Sequence, residues 1–259
     1  MKASIHDGCP LGPYMQGGDR ISSLSRSDIL PYLLSKESEL SRDEPEIASN
    51  ISEQLQHMGL STWSQSVIRR LRNAIHKIKP KRIIEVGAGI GHRSAWLFDL
   101  FTSDEKPQRY DMVEQGSKFA VILHRLRTRY DAEDWCNIVV GEVNSLVAET
   151  NAWSAASATG LEVGDSPLTP KANVIIVDRK IEELADSIES LFPLLVDGGV
   201  LFTCEPPVPS GDVDEDDEEM MKHVDGFNDW IKLISKTQET HHVAFTPLFD
   251  GTIVAFLKK

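Results

Sequence analysis

What this chain lacks narrows the field before any motif is considered. No apolar stretch reaches the roughly 18 residues that cross a bilayer. The opening Met-Lys-Ala-Ser-Ile-His-Asp-Gly-Cys-Pro holds no apolar run of the kind a secretory signal needs. Cysteine is scarce: Cys9, Cys136 and Cys204 lie far apart, have no Cys-x-x-Cys spacing, and as an odd number cannot all pair. These absences predict a soluble protein in a reducing, cytoplasmic setting, with no membrane partner. Positive charge is also short. Lys and Arg total 27 against 40 Asp and Glu, giving a net charge of −13 and a pI near 5.1. That balance argues against binding nucleic acid or an anionic membrane through bulk charge. No internal repeat is visible, and 259 residues, 41% of them hydrophobic, suffice for one sizeable core.

What is present begins with Arg-Ile-Ile-Glu-Val-Gly-Ala-Gly-Ile-Gly at 82–91, an apolar strand running into three alternating glycines and then a helix. Gly87, Gly89 and Gly91 remove Cβ atoms that would hold a ligand off the backbone, and they permit the positive φ angles of a tight strand-to-helix reversal. The dinucleotide pattern Gly-x-Gly-x-x-Gly would need its third glycine at position 92, which is His92. Glu85, two residues before the first glycine, is placed to hold the loop and its water.

The first 27 residues, rich in Gly, Pro and Ser, read as a flexible arm. Helical patterns follow at about Asp28–Leu40, from Pro45 through Met58 (Ile47, Ile51, Leu55 and Met58 on one face), and at about Ser64–Ile78, stopping at Pro80. In the third, Arg69, Arg70, Arg72 and Lys77 fall off the apolar side; these and the cluster His124–Arg129 read as exposed charges. Strands at 82–86, 109–114, 137–140, 173–178 and 199–204 then alternate with helices at 92–101, 116–130 and 181–195. Alternation implies a parallel, doubly wound sheet. After one more helix carrying Met220, Val224, Phe227, Ile231 and Ile234, the strands His242–Pro247 and Thr252–Leu257 are joined closely enough to form an antiparallel hairpin. Residues 150–172 and 205–219 read as loops. The expected fold is α/β: a Rossmann-like, seven-stranded, mostly parallel doubly wound sheet with a C-terminal antiparallel hairpin, plus N-terminal helices. The expected division is an arm at 1–27, a helical extension at 28–60 and a main domain at 61–259.

The pattern Glu-x-Gly-x-Gly-x-Gly resembles motif I of class I S-adenosylmethionine-dependent methyltransferases. From about Leu60 to Lys259 the chain is similar to the O-methyltransferase family that includes catechol and caffeoyl-CoA methyltransferases and their prokaryotic relatives. The carriers are residues 80–91, Ala95-Trp96-Leu97, Val174–Asp178 and Leu191–Leu201, with Gly211-Asp-Val213, Phe227-Asn228 and Asp250-Gly251. The resemblance implies S-adenosylmethionine as cofactor, held by Glu85, Gly87, Ala88, Gly89 and Gly91, with Glu114 on the ribose hydroxyls and Glu142, after Gly141, beside the adenine. The start of the helix at His92 would receive the methionine carboxylate, with Arg93 adding a charge or else lying on the surface, and Trp63 would close over that end or else sit in the core.

In that family a metal-binding Asp is followed three residues later by a catalytic Lys, and the fifth strand ends in Asp-Asn. Here Asp178 keeps the first ligand position, Ile181 stands at the lysine position with Lys180 one residue early, and Cys204 and Glu205 replace the Asp-Asn pair. The expected catalytic residues are Asp178, Glu205 and Lys180, with no metal as the default; any metal would fall on Asp178 and Glu205. Seven acids in eight positions at 212–219 read as a solvated run or as a gate for a cationic substrate. The expected activity is O-methylation of a small molecule, with nucleic acid disfavoured and a homodimer allowed. The alternatives are a catalytically weakened fold that binds the cofactor as a regulatory or scaffolding protein, and an RNA base methyltransferase, which would need a basic surface.

Overall fold

A computed structural model describes residues 21–209 and 217–259. In chain order the elements are α1 (Arg26–Leu33), α2 (Glu46–Met58), α3 (Gln65–Ile78), β1 (Arg82–Val86), α4 (His92–Ser103), β2 (Arg109–Glu114), α5 (Ser117–Arg129), β3 (Cys136–Val140), α6 (Val143–Ala158), β4 (Ala172–Val177), α7 (Ile181–Leu191), a 3-10 turn (Phe192–Leu194), β5 (Leu195–Cys204), α8 (Glu218–Thr237), β6 (His241–Leu248) and β7 (Gly251–Lys258). One seven-stranded sheet has the order β3-β2-β1-β4-β5-β7-β6. β7 runs antiparallel to both β5 and β6, and the other pairs are parallel. This is the expected mostly parallel sheet with an antiparallel hairpin. Among the described residues no helix is long and apolar enough to cross a membrane.

The sheet is buried on both faces, so its central strands are largely apolar and alternate between two cores. Ile83 packs with α1–α5, whereas Ile84 and Val86 pack with α6, α7 and α8. The period of two therefore sends Glu85 toward the α4 layer along with Ile83. Across the strand pair, Tyr110 and Met112 stand opposite Ile83 and Glu85 on that side.

Three element boundaries differ from expectation. α1 stops at Leu33, because residues 35–44 carry Ser, Glu and Asp with no apolar period. Pro193 ends α7 at Leu191, and β5 starts at Leu195. Residues 143–158 form α6, so the loop expected over 150–172 begins only after Ala158. Glu142 caps α6 by accepting the Ser145 amide at 2.9 Å, and only Val143, Leu146, Val147 and Thr150 are buried. Its Ala- and Ser-rich second half has no apolar stripe to announce a helix.

The cations of α3 require a second correction. Arg72 and Lys77 are buried and Arg69 and Arg70 half-buried. Residues 34–44 run beside α3 as an irregular strap after the end of α1, and the α3 cations donate to carbonyls of the strap and of the last turn of α1. Lys77 Nζ donates to Tyr32 O at 3.0 Å and Ser35 O at 2.9 Å, Arg69 to Arg42 O at 3.1 Å, Arg70 to Leu34 O and Arg72 to Ser41 O. By contrast His124, Arg125 and Arg129 of α5 are exposed, as expected. The strap ends at Glu44, whose carboxylate accepts from Gln65 at 2.8 Å and faces His92 Nε2 at 2.7 Å.

Candidate functional site

The three loop glycines do different work. All have positive φ: +75° at Gly87, +58° at Gly89 and +89° at Gly91. A Cβ on Gly87 would lie 1.8 Å from the Asp178 carbonyl oxygen, and one on Gly91 would meet Leu126 at 2.5 Å, so these two glycines serve close packing inside the protein. Among the described residues, a Cβ on Gly89 would meet nothing within 4 Å. The open approach to the backbone that sequence reasoning assigned to all three belongs to Gly89. Ala88, between them, is buried.

Glu114, at the end of β2, faces that opening. One carboxylate oxygen accepts the Gly89 amide at 2.9 Å and the other the Gly116 amide at 3.1 Å. Each oxygen has a further lone pair for an incoming hydroxyl. Glu142 is exposed at the end of β3, and its cap bond to the Ser145 amide holds its carboxyl below the usual range.

Glu85 is not a ligand-facing carboxylate. It is fully buried under α4 and accepts from Arg93 Nε at 2.9 Å, Ser94 Oγ at 2.7 Å and Tyr110 Oη at 2.7 Å. The expected role of holding a water at the loop is not seen, since the carboxylate is fully buried and its donors are three side chains. The strand period, which aims residue 85 at the helix above it, is the signal that would have shown this.

Arg93 is the hub of the site. The surface placement considered for it is corrected, for the side chain is 2% exposed. Besides Glu85 it donates from Nη1 to Asp178 Oδ2 at 2.7 Å and from Nη2 to the Gly87 carbonyl at 3.0 Å. The ring of Trp63 lies over it, 4.5 Å from guanidinium carbon to ring centroid. Burial opposes its charge, but the Glu85 and Asp178 carboxylates more than offset this, and its pKa is raised. Trp63 is buried with the core, as one of its two expected placements had it, and also lines the cavity beyond. His92 is buried as well. Burial, only partly opposed by Glu44, lowers its pKa, and its Nδ1 has no partner among the described residues.

Beyond this hub a cavity of about 420 Å³ opens at the ends of β4 and β5. Trp63, Asp178, Lys180, Cys204, Glu205 and Pro206 line it, and so do Glu219 and His223 from α8, two residues that sequence reasoning did not single out. The Asp178 side chain is one-third exposed. Asp217 caps α8 by accepting the Glu219 and Met220 amides. The rest of the acidic run, 212–216, with Gly211–Val213, Cys9 and most of the segment expected as an arm, lies outside the described residues.

The donor set here does not suit a divalent metal ion. Asp178 is already engaged by a guanidinium, Glu205 is exposed, and burial raises the pKa of the soft Cys204 thiol, which keeps it protonated. Among the described residues no three His, Cys, Asp or Glu side chains converge.

No protein-family model matches the sequence, and no curated protein matches it. Solved structures do. The O-methyltransferase TomG from Streptomyces achromogenes, involved in tomaymycin synthesis and solved in complex with SAM, is 16% identical with a TM-score of 0.62, over 95% of this chain and 100% of that one. The methyltransferase PaMTH1 from Podospora anserina, solved bound to SAH, is 17% identical with a TM-score of 0.58, over 97% of this chain and 99% of that one. The strand order, the antiparallel β7 and these likenesses together give this chain the Rossmann-like methyltransferase fold.

Proposed function

We propose that this chain is an S-adenosylmethionine-dependent methyltransferase, acting in the cytoplasm on an oxygen of a small molecule. The observation that carries the reading is the open face of Gly89 beside Glu114, two strand ends where a ribose can reach a carboxylate and a bare backbone together. That the two neighbours were solved with SAM and SAH supports the cofactor class.

When bound, the cofactor supplies a methyl group on a sulfonium, which a substrate oxygen attacks in line while the S–C bonding pair stays on sulfur. The protein's own work is mainly positioning. Glu114 accepts the ribose hydroxyls with the lone pairs its amide partners leave. The first-turn amides of α4 have no helical acceptor and form the natural seat for a carboxylate. Glu142, exposed and still an acceptor, takes the adenine amine. The cavity between Trp63 and Pro206 holds the acceptor substrate, with Asp178 or Glu205 taking its proton. Lys180, exposed at the start of α7, ranks third, because an ammonium must first lose its own proton.

Calorimetry with S-adenosylhomocysteine tests binding. Turnover against pooled cell metabolites, followed as S-adenosylhomocysteine formed, tests catalysis. Absence of binding at millimolar ligand would remove the whole reading. The engagement of Asp178 by Arg93 favours a second reading, a protein that binds the cofactor as a regulatory or scaffolding subunit. Binding without turnover over a broad panel selects it.

A further inference from the structure

We propose that Arg93 is the resident cation of this pocket, standing where a divalent ion would have to bind Asp178. The inference rests on the methyltransferase reading for its meaning and on the geometry for its support. A magnesium-type ion needs carboxylate oxygens at about 2.0–2.1 Å and tolerates little departure from octahedral coordination. Asp178 Oδ2 instead holds Arg93 Nη1 at 2.7 Å, and an ion sharing that oxygen would face a permanent positive charge across it.

The guanidinium is also fixed far more firmly than one carboxylate requires. Glu85 anchors Nε from beneath, the Gly87 carbonyl takes Nη2, and the Trp63 ring covers the face. Glu85 in turn is locked by Ser94 and Tyr110. Three acceptors in a planar fork match arginine and no spherical ion. Asp178 is left with its other oxygen unclaimed by Arg93 and a side chain one-third exposed at the cavity. Arg93 cannot serve as the base, since it does not give up its proton. It acts as a positioning residue: it holds Asp178 at one orientation, compensates its charge, and joins that carboxylate to the carbonyl of the glycine loop.

The test has two arms that do not depend on turnover. Wild-type protein is titrated with Mn²⁺ and the free ion followed by electron paramagnetic resonance, alongside Asp178→Asn. No saturable Mn²⁺ site that vanishes in Asp178→Asn is expected; such a site would overturn the proposal. In the second arm Arg93→Ala is melted with and without tens of millimolar guanidinium chloride, with urea as the neutral control. Guanidinium should raise the midpoint of the variant by several degrees and lower that of the wild type, while urea rescues neither. Lack of rescue in a folded variant would overturn the proposal. If Arg93→Ala does not fold, Arg93→Lys replaces it: a lysine carries the charge but cannot bridge three acceptors, so a midpoint equal to wild type would count against Arg93 as the organiser. Because S-adenosylhomocysteine binding is measured on the wild type, a failure here is separable from a failure of the functional reading.

Discussion

The carboxyl edge of the sheet has two halves made in opposite ways. On the β1–β2 side the groups are enclosed and matched: Glu85 has three donors, Arg93 three acceptors, and both Glu114 oxygens hold amides. On the β4–β5 side Lys180 and Glu205 are exposed around a cavity, with Cys204 partly covered. A half that must hold one fixed ligand can be finished in advance. A half that receives a second reactant keeps unsatisfied, hydrated groups, because substrate must displace water and not protein. Arg93 belongs to the first half and touches the second through Asp178.

The contrast breaks most severely at Gly87. Alanine there forces a Cβ toward a backbone oxygen at 1.8 Å while φ stays at +75°. Strain and overpacking together should cost about 2–5 kcal/mol, visible as a fall in the urea midpoint. An unchanged midpoint would mean the two strand ends are not packed as described.

Next in size are two variants that should disturb the fold less than Gly87→Ala and remove the ligand. Glu114→Ala loses the acceptor for two hydroxyls and should weaken S-adenosylhomocysteine binding by about 2–4 kcal/mol in calorimetry. Gly89→Val should fold with a penalty of about 1–2 kcal/mol for its left-handed backbone and bind even less well, since its side chain enters the open approach. If Gly87→Ala and Gly89→Val behave alike, the division of labour between the glycines is wrong.

A pH series sharpens the comparison. His92 is held neutral in the folded state, so its pKa is lowered relative to the unfolded chain. Its contribution is present above the unfolded value of about 6.5 and is lost progressively as pH falls below it, because the unfolded state then binds the extra proton. Denaturant midpoints should decline from neutral pH toward 5, and His92→Gln should flatten that decline. The smallest effect is reserved for the open half: Glu205→Ala should leave the midpoint within about 0.5 kcal/mol, since exposed charges contribute little, while raising the KM for substrate.

How much of this was legible follows the same division. The β1 strand, its glycines and the helix after them announce themselves because the backbone reversal has few chemical solutions. The hairpin was legible through its short connection at Phe249–Gly251. Glu85 was misjudged because its motif position suggests a ligand contact, while its partners, Ser94 and Tyr110, come from a helix and a strand that only folding brings over it. The cations of α3 look in sequence like those of α5. They differ because carbonyls at the end of α1 and along the strap after it accept from the α3 cations, and no local pattern in α3 reports that. Helix α6 was hidden by its weak amphipathicity, with just four side chains turned inward.

The position of β7 has a consequence for assembly. It follows β6 in the chain yet lies inside it, paired to β5 on one side and β6 on the other. As the chain leaves the ribosome, β6 therefore emerges with no partner in the growing sheet, and β5 presents a bare apolar edge until the eight residues of β7 arrive. The carbonyl of Phe249 at the hairpin tip then accepts from Ser64 and Ser66, some 185 positions earlier, next to Trp63. The wall over Arg93 is thus fastened by a segment made more than 180 residues after it. Folding is committed to a late, long-range closure, and a nascent chain stalled before β7 is expected to need a chaperone to shield its open edge.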